Sequence, residues 1–183
     1  MILASQSPRR RELLALITAD FRVVPADLDE TPEVDESPEH YVGRLSRLKA
    51  EAVAVHAAPG ELVIGSDTTV SIDQALLQKP LDRADFLNMM NQLSGRTHQV
   101  YSGITVWTDR AVETQVVRTD VTFREMTDAE RTAYWDTGEP LDKAGGYAIQ
   151  GIGARFIIRI SGSYTNVVGL PLVELEGLLS NAT

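Results

Sequence analysis

The feature that most constrains the fold is the segment at residues 62–70, which begins as a continuous apolar run and then contains one acid. Such a run is typical of a strand that is covered on both faces. Asp67 follows at its end, although aspartate is depleted in strands, and open α/β sheets bind ligands near the carboxyl ends of strands. Gly65 would let a backbone or a ligand approach closely. The segment predicts a covered strand leading to a functional site, with a structural Asp67 that caps a turn as the alternative.

Helical and strand patterns alternate along the rest of the chain. Apolar spacing predicts helices over residues 38–56 and 82–93, and alternation predicts strands over 103–108 and 111–123. The 183 residues, 43% of them hydrophobic, suffice for one domain with a real core or for two small lobes. We expect an α/β fold in one domain over residues 1–183. Its elongated mixed central sheet would be flanked by helices and form two lobes around a deep groove that holds the site.

Local signals place several shorter elements. Ser7, Ser37 and Thr127 each stand where a helix N-cap is expected. Asp73-Gln74 predicts the turn of a hairpin, and a further strand is expected over residues 155–160.

Composition excludes several classes of partner. The chain has no cysteine, so disulfides and thiolate metal sites are excluded and the cytoplasm is the expected location. The net charge of -9 argues against a broad nucleic-acid surface, which needs a basic stripe. No apolar run approaches membrane-spanning length, and the N-terminus lacks a signal pattern. We therefore expect neither a nucleic-acid nor a membrane partner.

Basic residues crowd the start of the first predicted helix. Ser7 is a good N-cap, Pro8 suits the first helical position, and Arg9 and Arg10 follow in the first turn. The helix dipole makes cations mildly unfavourable there, whereas a bound anion would reverse that effect. The segment therefore predicts a small anion site, and a solvated basic turn is the alternative.

Lys49 and Lys79 have different predicted environments. Lys49 falls on the predicted buried face of the 38–56 helix, which also comprises Val42, Leu45, Ala52 and Val53. An inward lysine either snorkels to the surface or reaches an anionic site. Lys79, judged from its local sequence alone, is an ordinary exposed lysine.

The acidic segment at residues 27–36 does not fit a calcium loop, since Thr31 occupies the third ligand position and no glycine follows. Most of it is expected to be a solvated loop. The histidines are far apart and show no zinc-ligand spacing. His98 is expected to be mainly structural, with a contact to the site as the alternative.

Several separated blocks resemble the Maf family of nucleoside triphosphate pyrophosphatases. They run in order from Leu3 to about Leu172 and are Ser5-x-Ser7-Pro8-Arg9-Arg10, Gly65-Ser66-Asp67-Thr68, Gln78-Lys79-Pro80 and the segments 96–103, 138–151 and 162–171. The resemblance implies the reaction NTP + H2O → NMP + pyrophosphate. It also implies an inosine-triphosphatase-like architecture and a homodimer.

The resemblance assigns roles residue by residue. Asp67 would be the proton acceptor, and Glu30 would be a metal-linked or catalytic acid. Glu30 and Asp67 would hold a divalent cation, Mg²⁺ or Mn²⁺, because these hard cations prefer oxygen ligands and share them with phosphates. The substrate phosphates would be bound by Ser7, Arg9, Arg10, Lys49 and Lys79.

Base preference is implied by three positions. Arg9, Thr68 and Gln150 resemble the branch that acts on dTTP and UTP, including modified pyrimidines. The amide of Gln150 both donates and accepts hydrogen bonds, which suits the edge of a nucleobase. The 7-methyl-GTP branch of the same family is the alternative, although that branch tends to have Trp at the position of Arg9 and Glu at the position of Gln150. Gly146 and Ala148 depart slightly from the family pattern near the base pocket.

Two other functions remain open. A nucleotide sensor without turnover, linked to cell division, would be expected to have lost Asp67. A glycosidase that uses Glu30 and Asp67 as its carboxylate pair would leave the arginines and lysines unexplained.

Overall fold

The computed structural model describes residues 1–182 as a mixed sheet of seven strands with helices packed against it. Thr183, the last residue of the predicted domain, lies outside the described residues. The strands are β1 (Ile2–Ala4), β2 (Arg22–Val23), β3 (Val63–Ile72), β4 (Ala75–Leu77), β5 (Thr97–Trp107), β6 (Val112–Phe123) and β7 (Ile157–Ser161). The α-helices are α1 (Pro8–Leu14), α2 (Pro38–Ala54), α3 (Arg83–Leu93), α4 (Asp128–Trp135), α5 (Tyr164–Val168) and α6 (Leu172–Asn181). Short 3-10 turns cover Glu139–Asp142, Ala144–Gly146 and Ile152–Phe156.

The sheet has the strand order β2-β1-β3-β5-β6-β7, and β4 pairs separately with β3. The β2-β1-β3 part is parallel, whereas β3, β5, β6 and β7 pair antiparallel to one another. The predicted mixed sheet flanked by helices is therefore confirmed.

Strand β3 is covered on both faces, as its apolar run predicted. Gly65 and Gly103 lie on the face that α2 contacts, where a Cβ on either glycine would come within 2.1 Å of an α2 carbonyl oxygen. Ile64 and Ile104, one residue away in each strand, pack on the opposite side with apolar side chains of α1 and α6. Successive strand residues point to opposite faces, so this arrangement follows directly from the strand period.

The predicted elements are present, with shifted boundaries. Strand β5 starts at Thr97 rather than at residue 103, because its residues pair with β6 from Thr97 onward and with β3 from Gln99 onward. Strand β7 starts at Ile157, since a 3-10 turn occupies the preceding residues. Ala52 is exposed, contrary to the prediction, and Ala50 is buried instead, because it shares the helical face of Lys49.

The local cap and turn predictions are confirmed. Ser7, Ser37 and Thr127 accept hydrogen bonds from the first turns of α1, α2 and α4. Asp73 and Gln74 both have positive φ, as a tight hairpin between β3 and β4 requires.

Two large apolar clusters make up most of the core. One surrounds α3 and contains Phe86, Phe123 and Phe156, and the other joins α1 and α6 to the opposite end of the sheet. A groove lies where they meet, since Val70 and Tyr147 of the first cluster and Val168 of the second all line it. None of the helices formed by residues 1–182 is long and apolar enough to span a membrane.

Candidate active site

The structure brings every predicted site residue to this one groove, which has a volume of about 830 Å³. Those residues are Ser7, Arg9, Arg10, Glu30, Lys49, Asp67, Thr68, Lys79 and Gln150. They come from six separate parts of the chain, so only the tertiary fold makes them neighbours.

The groove exists because one edge of β3 is left without a partner strand. Strand β1 pairs with β3 only as far as Ala4, which lies opposite Gly65, and β4 pairs only from Val70 onward. Asp67 lies in the gap between them. The sequence predicted Asp67 at the end of its strand, but Asp67 lies in the middle of β3. It does lie just beyond the carboxyl end of the neighbouring parallel strand, β1.

Lys49 joins the two predicted acids. Its Nζ lies 2.6 Å from Glu30 Oε1 and 2.6 Å from Asp67 Oδ1. The side chains of Lys49 and Asp67 are each 8% exposed, whereas that of Glu30 is 46% exposed. The buried lysine thus contacts an anionic site, and the snorkelling alternative is wrong.

The electrostatics distinguish the two acids. Burial raises the pKa of Asp67, and the neighbouring charges of Lys49 and Arg10 oppose that rise. Burial also acts to raise the pKa of Glu30, but the hydrogen bond and charge of Lys49, together with Lys79, bring it below its ordinary value. A carboxylate with a raised pKa is the better proton acceptor near neutral pH.

Arg10 is a partly buried cross-link between distant segments. Its Nε donates to the carbonyl oxygen of Gly169 at 2.8 Å, and its Nη2 donates to Thr68 Oγ1 at 3.0 Å. Nη1 lies 3.4 Å from Ser5 Oγ. Burial lowers the pKa of Arg10, whereas Asp67 and Glu30 act to raise it. Arg10 therefore holds α1, β3 and α5 together at the groove floor.

The hydroxyl of Thr68 is engaged by protein atoms. Besides accepting from Arg10, it lies 2.8 Å from Ser102 Oγ. Ser102 in turn donates to the carbonyl oxygen of Asn166. Thr68 thus shapes the groove from within a polar network that also fixes α5.

Other predicted residues leave their polar groups free for a ligand. Within residues 1–182, the side chains of Arg9, Lys79 and Gln150 form no hydrogen bond or ion pair with protein atoms. Ser7 caps α1 by accepting from the backbone N–H of Arg10. The groove therefore has cationic and amide donors at its rim and paired charges at its floor.

Sequence reasoning missed Tyr41 and Gln78. The Tyr41 hydroxyl donates to the carbonyl oxygen of Glu30 at 2.9 Å and accepts from Gln78 Nε2 at 3.1 Å. The backbone carbonyl of Gln78 accepts from Gly145 N. These bonds tie the Glu30 segment to two other walls of the groove. Two signals were available: Tyr41 falls on the buried face of α2, and Gln78 belongs to the block Gln78-Lys79-Pro80.

His98 lies in the core and not in the groove lining. Its Nε2 lies 2.7 Å from Tyr147 Oη, and burial lowers its pKa to about 3. The neutral ring packs edge-on against Phe123. This environment is that of a structural histidine.

The donor set of the groove floor suits a hard divalent cation. Glu30 and Asp67 converge on a single point, the Nζ of Lys49, and both supply carboxylate oxygens. Sites with one or two carboxylates that are completed by substrate phosphates are typical of Mg²⁺. Elsewhere in the described chain, Glu33, Glu36 and His40 could together offer three ligand atoms to a metal ion. Within that group, however, Glu36 is already paired with Arg44 and with His40 itself.

Comparison with known proteins shows which family the sequence matches. A family model described as Maf-like protein matches residues 1–182. A dTTP/UTP pyrophosphatase of Myxococcus xanthus is 52% identical over 182 residues, which cover 100% of this chain and 92% of that protein. A dTTP/UTP pyrophosphatase of Vibrio cholerae is 51% identical over 179 residues, which cover 98% of this chain and 96% of that protein.

A solved structure titled nucleoside-triphosphatase / dITP/XTP pyrophosphatase, from Mycobacterium abscessus, aligns with a TM-score of 0.49 and 16% identity. The alignment covers 98% of this chain and 92% of that chain.

Proposed function

The chain belongs to the Maf-like protein family, and on this premise we propose that it is a pyrophosphate-releasing hydrolase of dTTP and UTP. The observation that carries the proposal is the convergence of Asp67, Glu30 and Lys49 on the floor of one groove whose rim carries Arg9 and Lys79. A triphosphate needs several cations from different directions, and this groove supplies them. Full-length relatives at about 50% identity carry the same activity in their names.

The proposed reaction breaks the bond between the α- and β-phosphates. Water attacks the α-phosphorus, its proton passes to Asp67, and the leaving group is pyrophosphate. The raised pKa of Asp67 suits this role. Arg9 and Lys79 neutralise the phosphates, because their side chains form no hydrogen bond or ion pair within residues 1–182, and Ser7 contributes from the β1–α1 loop.

Two further cations act from the floor. Lys49 shares its charge between both acids and is placed to meet a phosphate that enters between them. Arg10 contributes its positive charge while its donors hold the floor together.

A divalent cation, Mg²⁺ or Mn²⁺, would be held by Glu30 and Asp67. When bound, it would supply Lewis-acid stabilisation of the charge that develops on the phosphate oxygens. The convergence of these two carboxylates supports the assignment.

Base preference is assigned to Arg9, Thr68 and Gln150. Gln150 is exposed in the groove lining with its amide free of protein bonds in the described chain, so it can meet a base edge directly. Thr68 acts by shaping the wall, since its hydroxyl is engaged by Arg10 and Ser102.

We also propose the domain organisation, the oligomeric state and the location of the enzyme. It is a single-domain protein that acts as a homodimer in the cytoplasm, where nucleoside triphosphates are made and used, and it has no nucleic-acid partner. Light scattering after size exclusion should give twice the mass of the 20.1 kDa chain.

The test is pyrophosphate release from dTTP, UTP, CTP, ATP, GTP and 7-methyl-GTP with Mg²⁺ or Mn²⁺. Asp67→Asn should lower kcat by at least about 100-fold, because a positioned base contributes that much. Asp136→Asn, at an exposed position after α4, is the matched control and should leave kcat unchanged.

Each other outcome has a distinct meaning. Turnover of 7-methyl-GTP in preference to dTTP would retain the chemistry and overturn the base assignment. Near-normal turnover by a folded Asp67→Asn variant would overturn the role of Asp67. Binding of nucleotide without turnover by the unmodified protein would favour the sensor.

A further inference from the structure

The segment that carries Gln150 is wrapped around a single carboxylate. Glu139 Oε2 accepts from the backbone N–H of Ile152 at 2.8 Å, and its Oε1 accepts from that of Gly153 at 2.9 Å. These two amides follow Gln150 by two and three residues. Glu139 thus fixes the chain directly after the residue assigned to base contact.

Tyr134 fixes the other end of the same segment. Its hydroxyl donates to Glu139 Oε1 at 2.6 Å and accepts from the backbone N–H of Ala148 at 3.2 Å. The ring of Tyr134 is buried and packs edge-on against Phe86 and Phe156. The hydroxyl is therefore held by the core, and the segment is attached on both sides of Gln150.

The glycines of the segment make room for this anchor. A Cβ on Gly151 would come within 2.1 Å of Glu139 Oε2, and a Cβ on Gly153 would come within 2.6 Å of the Tyr134 hydroxyl. Gly151 has a φ of -121°, which any residue adopts, so the need for glycine there is one of space. Close packing of backbone around a carboxylate is a specific feature that an ordinary surface loop lacks.

We propose that Glu139, together with Tyr134, is a positioning residue for base selection. The carboxylate holds residues 148–153 in one conformation so that the exposed Gln150 presents its amide to the nucleobase at a constant place. The inference rests on the proposed function, in which Gln150 contacts the base. It adds a determinant of specificity that does not itself touch the substrate.

The charge state of Glu139 agrees with this role. Burial acts to raise its pKa, but the hydrogen bonds from Tyr134, Gly153 and Ile152 outweigh burial and lower it. The group is thus ionised at neutral pH and accepts all three bonds. A glutamine amide would direct its NH2 group at a backbone N–H, so Glu139→Gln is nearly isosteric but loses at least one bond.

The experiment measures kcat and KM for dTTP and GTP in a double-mutant cycle of Glu139→Gln and Gln150→Ala. Glu139→Gln should lower the dTTP/GTP ratio of kcat/KM by about tenfold, the effect of one good hydrogen bond, mainly through KM for dTTP. In the Gln150→Ala background, Glu139→Gln should leave that ratio unchanged, because the residue through which it acts is gone.

Two further variants separate positioning from loss of fold. Gly151→Ala displaces the same carboxylate without altering it and should lower the dTTP/GTP ratio in the same way. Glu130→Gln is the matched control, because Glu130 also accepts bonds from Arg124 and Thr127 but lies outside the groove lining. It should reduce the thermal midpoint and leave the ratio unchanged.

The outcomes distinguish a failure of the inference about Glu139 from a failure of the proposed function. If Gln150→Ala leaves the ratio unchanged, both the base contact and the inference fail. If Gln150→Ala lowers the ratio but folded Glu139→Gln and Gly151→Ala variants do not, the inference alone is overturned. An equal effect of Glu139→Gln with and without Gln150 would also overturn it.

Discussion

At the residue scale, the most informative side chain is Lys49. It is buried, and its ammonium is the nearest positive charge to two carboxylates at once. Burial of an unpaired charge is costly, whereas a paired and hydrogen-bonded charge is tolerated. Lys49 therefore serves the folded state in addition to its proposed role toward the phosphates, since it compensates Asp67.

The substitution Lys49→Met should lower the free energy of unfolding by about 3 kcal/mol, since it leaves the buried Asp67 carboxylate without its closest partner. Urea denaturation at pH 7 measures the loss. Lys79→Met, which removes an exposed cation of the same groove, should change stability by no more than about 0.5 kcal/mol.

The same substitution in a second variant background tests whether the charge of Lys49 causes the loss of stability. In an Asp67→Asn protein, Lys49→Met should cost clearly less, because the buried negative charge is already absent. Equal losses in both backgrounds would mean that Lys49 stabilises the fold by packing its stem and not by its charge.

At the element scale, the contact between α2 and the sheet governs the site. Helix α2 carries Lys49 and Tyr41, and it approaches β3 and β5 at Gly65 and Gly103. Any larger side chain at these glycines would push the helix outward. The reach of Lys49 to Asp67 therefore depends on close backbone packing one turn away.

Gly65→Ala should destabilise the protein by about 3 kcal/mol, since the new methyl group would lie 2.1 Å from the Ser46 carbonyl oxygen and 2.7 Å from Ala50 N. Gly177→Ala in α6 should have the opposite sign and stabilise by about 0.5 to 1 kcal/mol, because alanine favours helix and an added Cβ would meet no heavy atom of residues 1–182 within 4 Å beyond the adjacent backbone of α6 itself. Thermal or urea unfolding of the two variants makes the comparison, and a neutral Gly65→Ala would show that α2 can shift freely.

At the scale of the whole molecule, three ion-paired carboxylates couple stability to pH. Glu36 with Arg44, Glu61 with Arg22 and Glu130 with Arg124 each have a pKa of about 2, against an ordinary value of 4.5, and in each the hydrogen bond from the arginine is the largest cause. A lowered pKa in the folded state means that the stabilisation is complete above about pH 4.5 and is lost as the pH falls toward 2. The raised pKa of Asp67 acts in the opposite direction.

The free energy of unfolding, measured in urea from pH 7 to pH 2.5, should therefore decrease below about pH 4.5. Glu36→Gln should make that decrease shallower, because the side chain of Glu36 is only 1% exposed and its pair with Arg44 is shielded from solvent. Glu113→Gln, at an exposed position of β6, should leave the slope unchanged. A slope that Glu36→Gln does not alter would assign the acid sensitivity to other groups.

The sequence by itself determined the elements whose signals are local. The caps at Ser7, Ser37 and Thr127 and the Asp73-Gln74 turn depend on residues within one helical or hairpin turn, so their chemistry is visible in the chain. The covered strand β3 and the inward position of Lys49 followed from periodicity for the same reason. The family blocks supplied the remaining site residues, which all line one groove.

The tertiary structure alone decided how these parts meet. Arg10 and Gly169 are 159 residues apart, and Lys49 and Asp67 are 18 apart, so no local pattern specifies their contacts. The place of Asp67 in mid-strand depends on where β1 stops and β4 begins, which is a property of the sheet. Glu139 lies in the family-like segment 138–151, but nothing in that segment singled it out, because what distinguishes it is the backbone folded around its carboxylate.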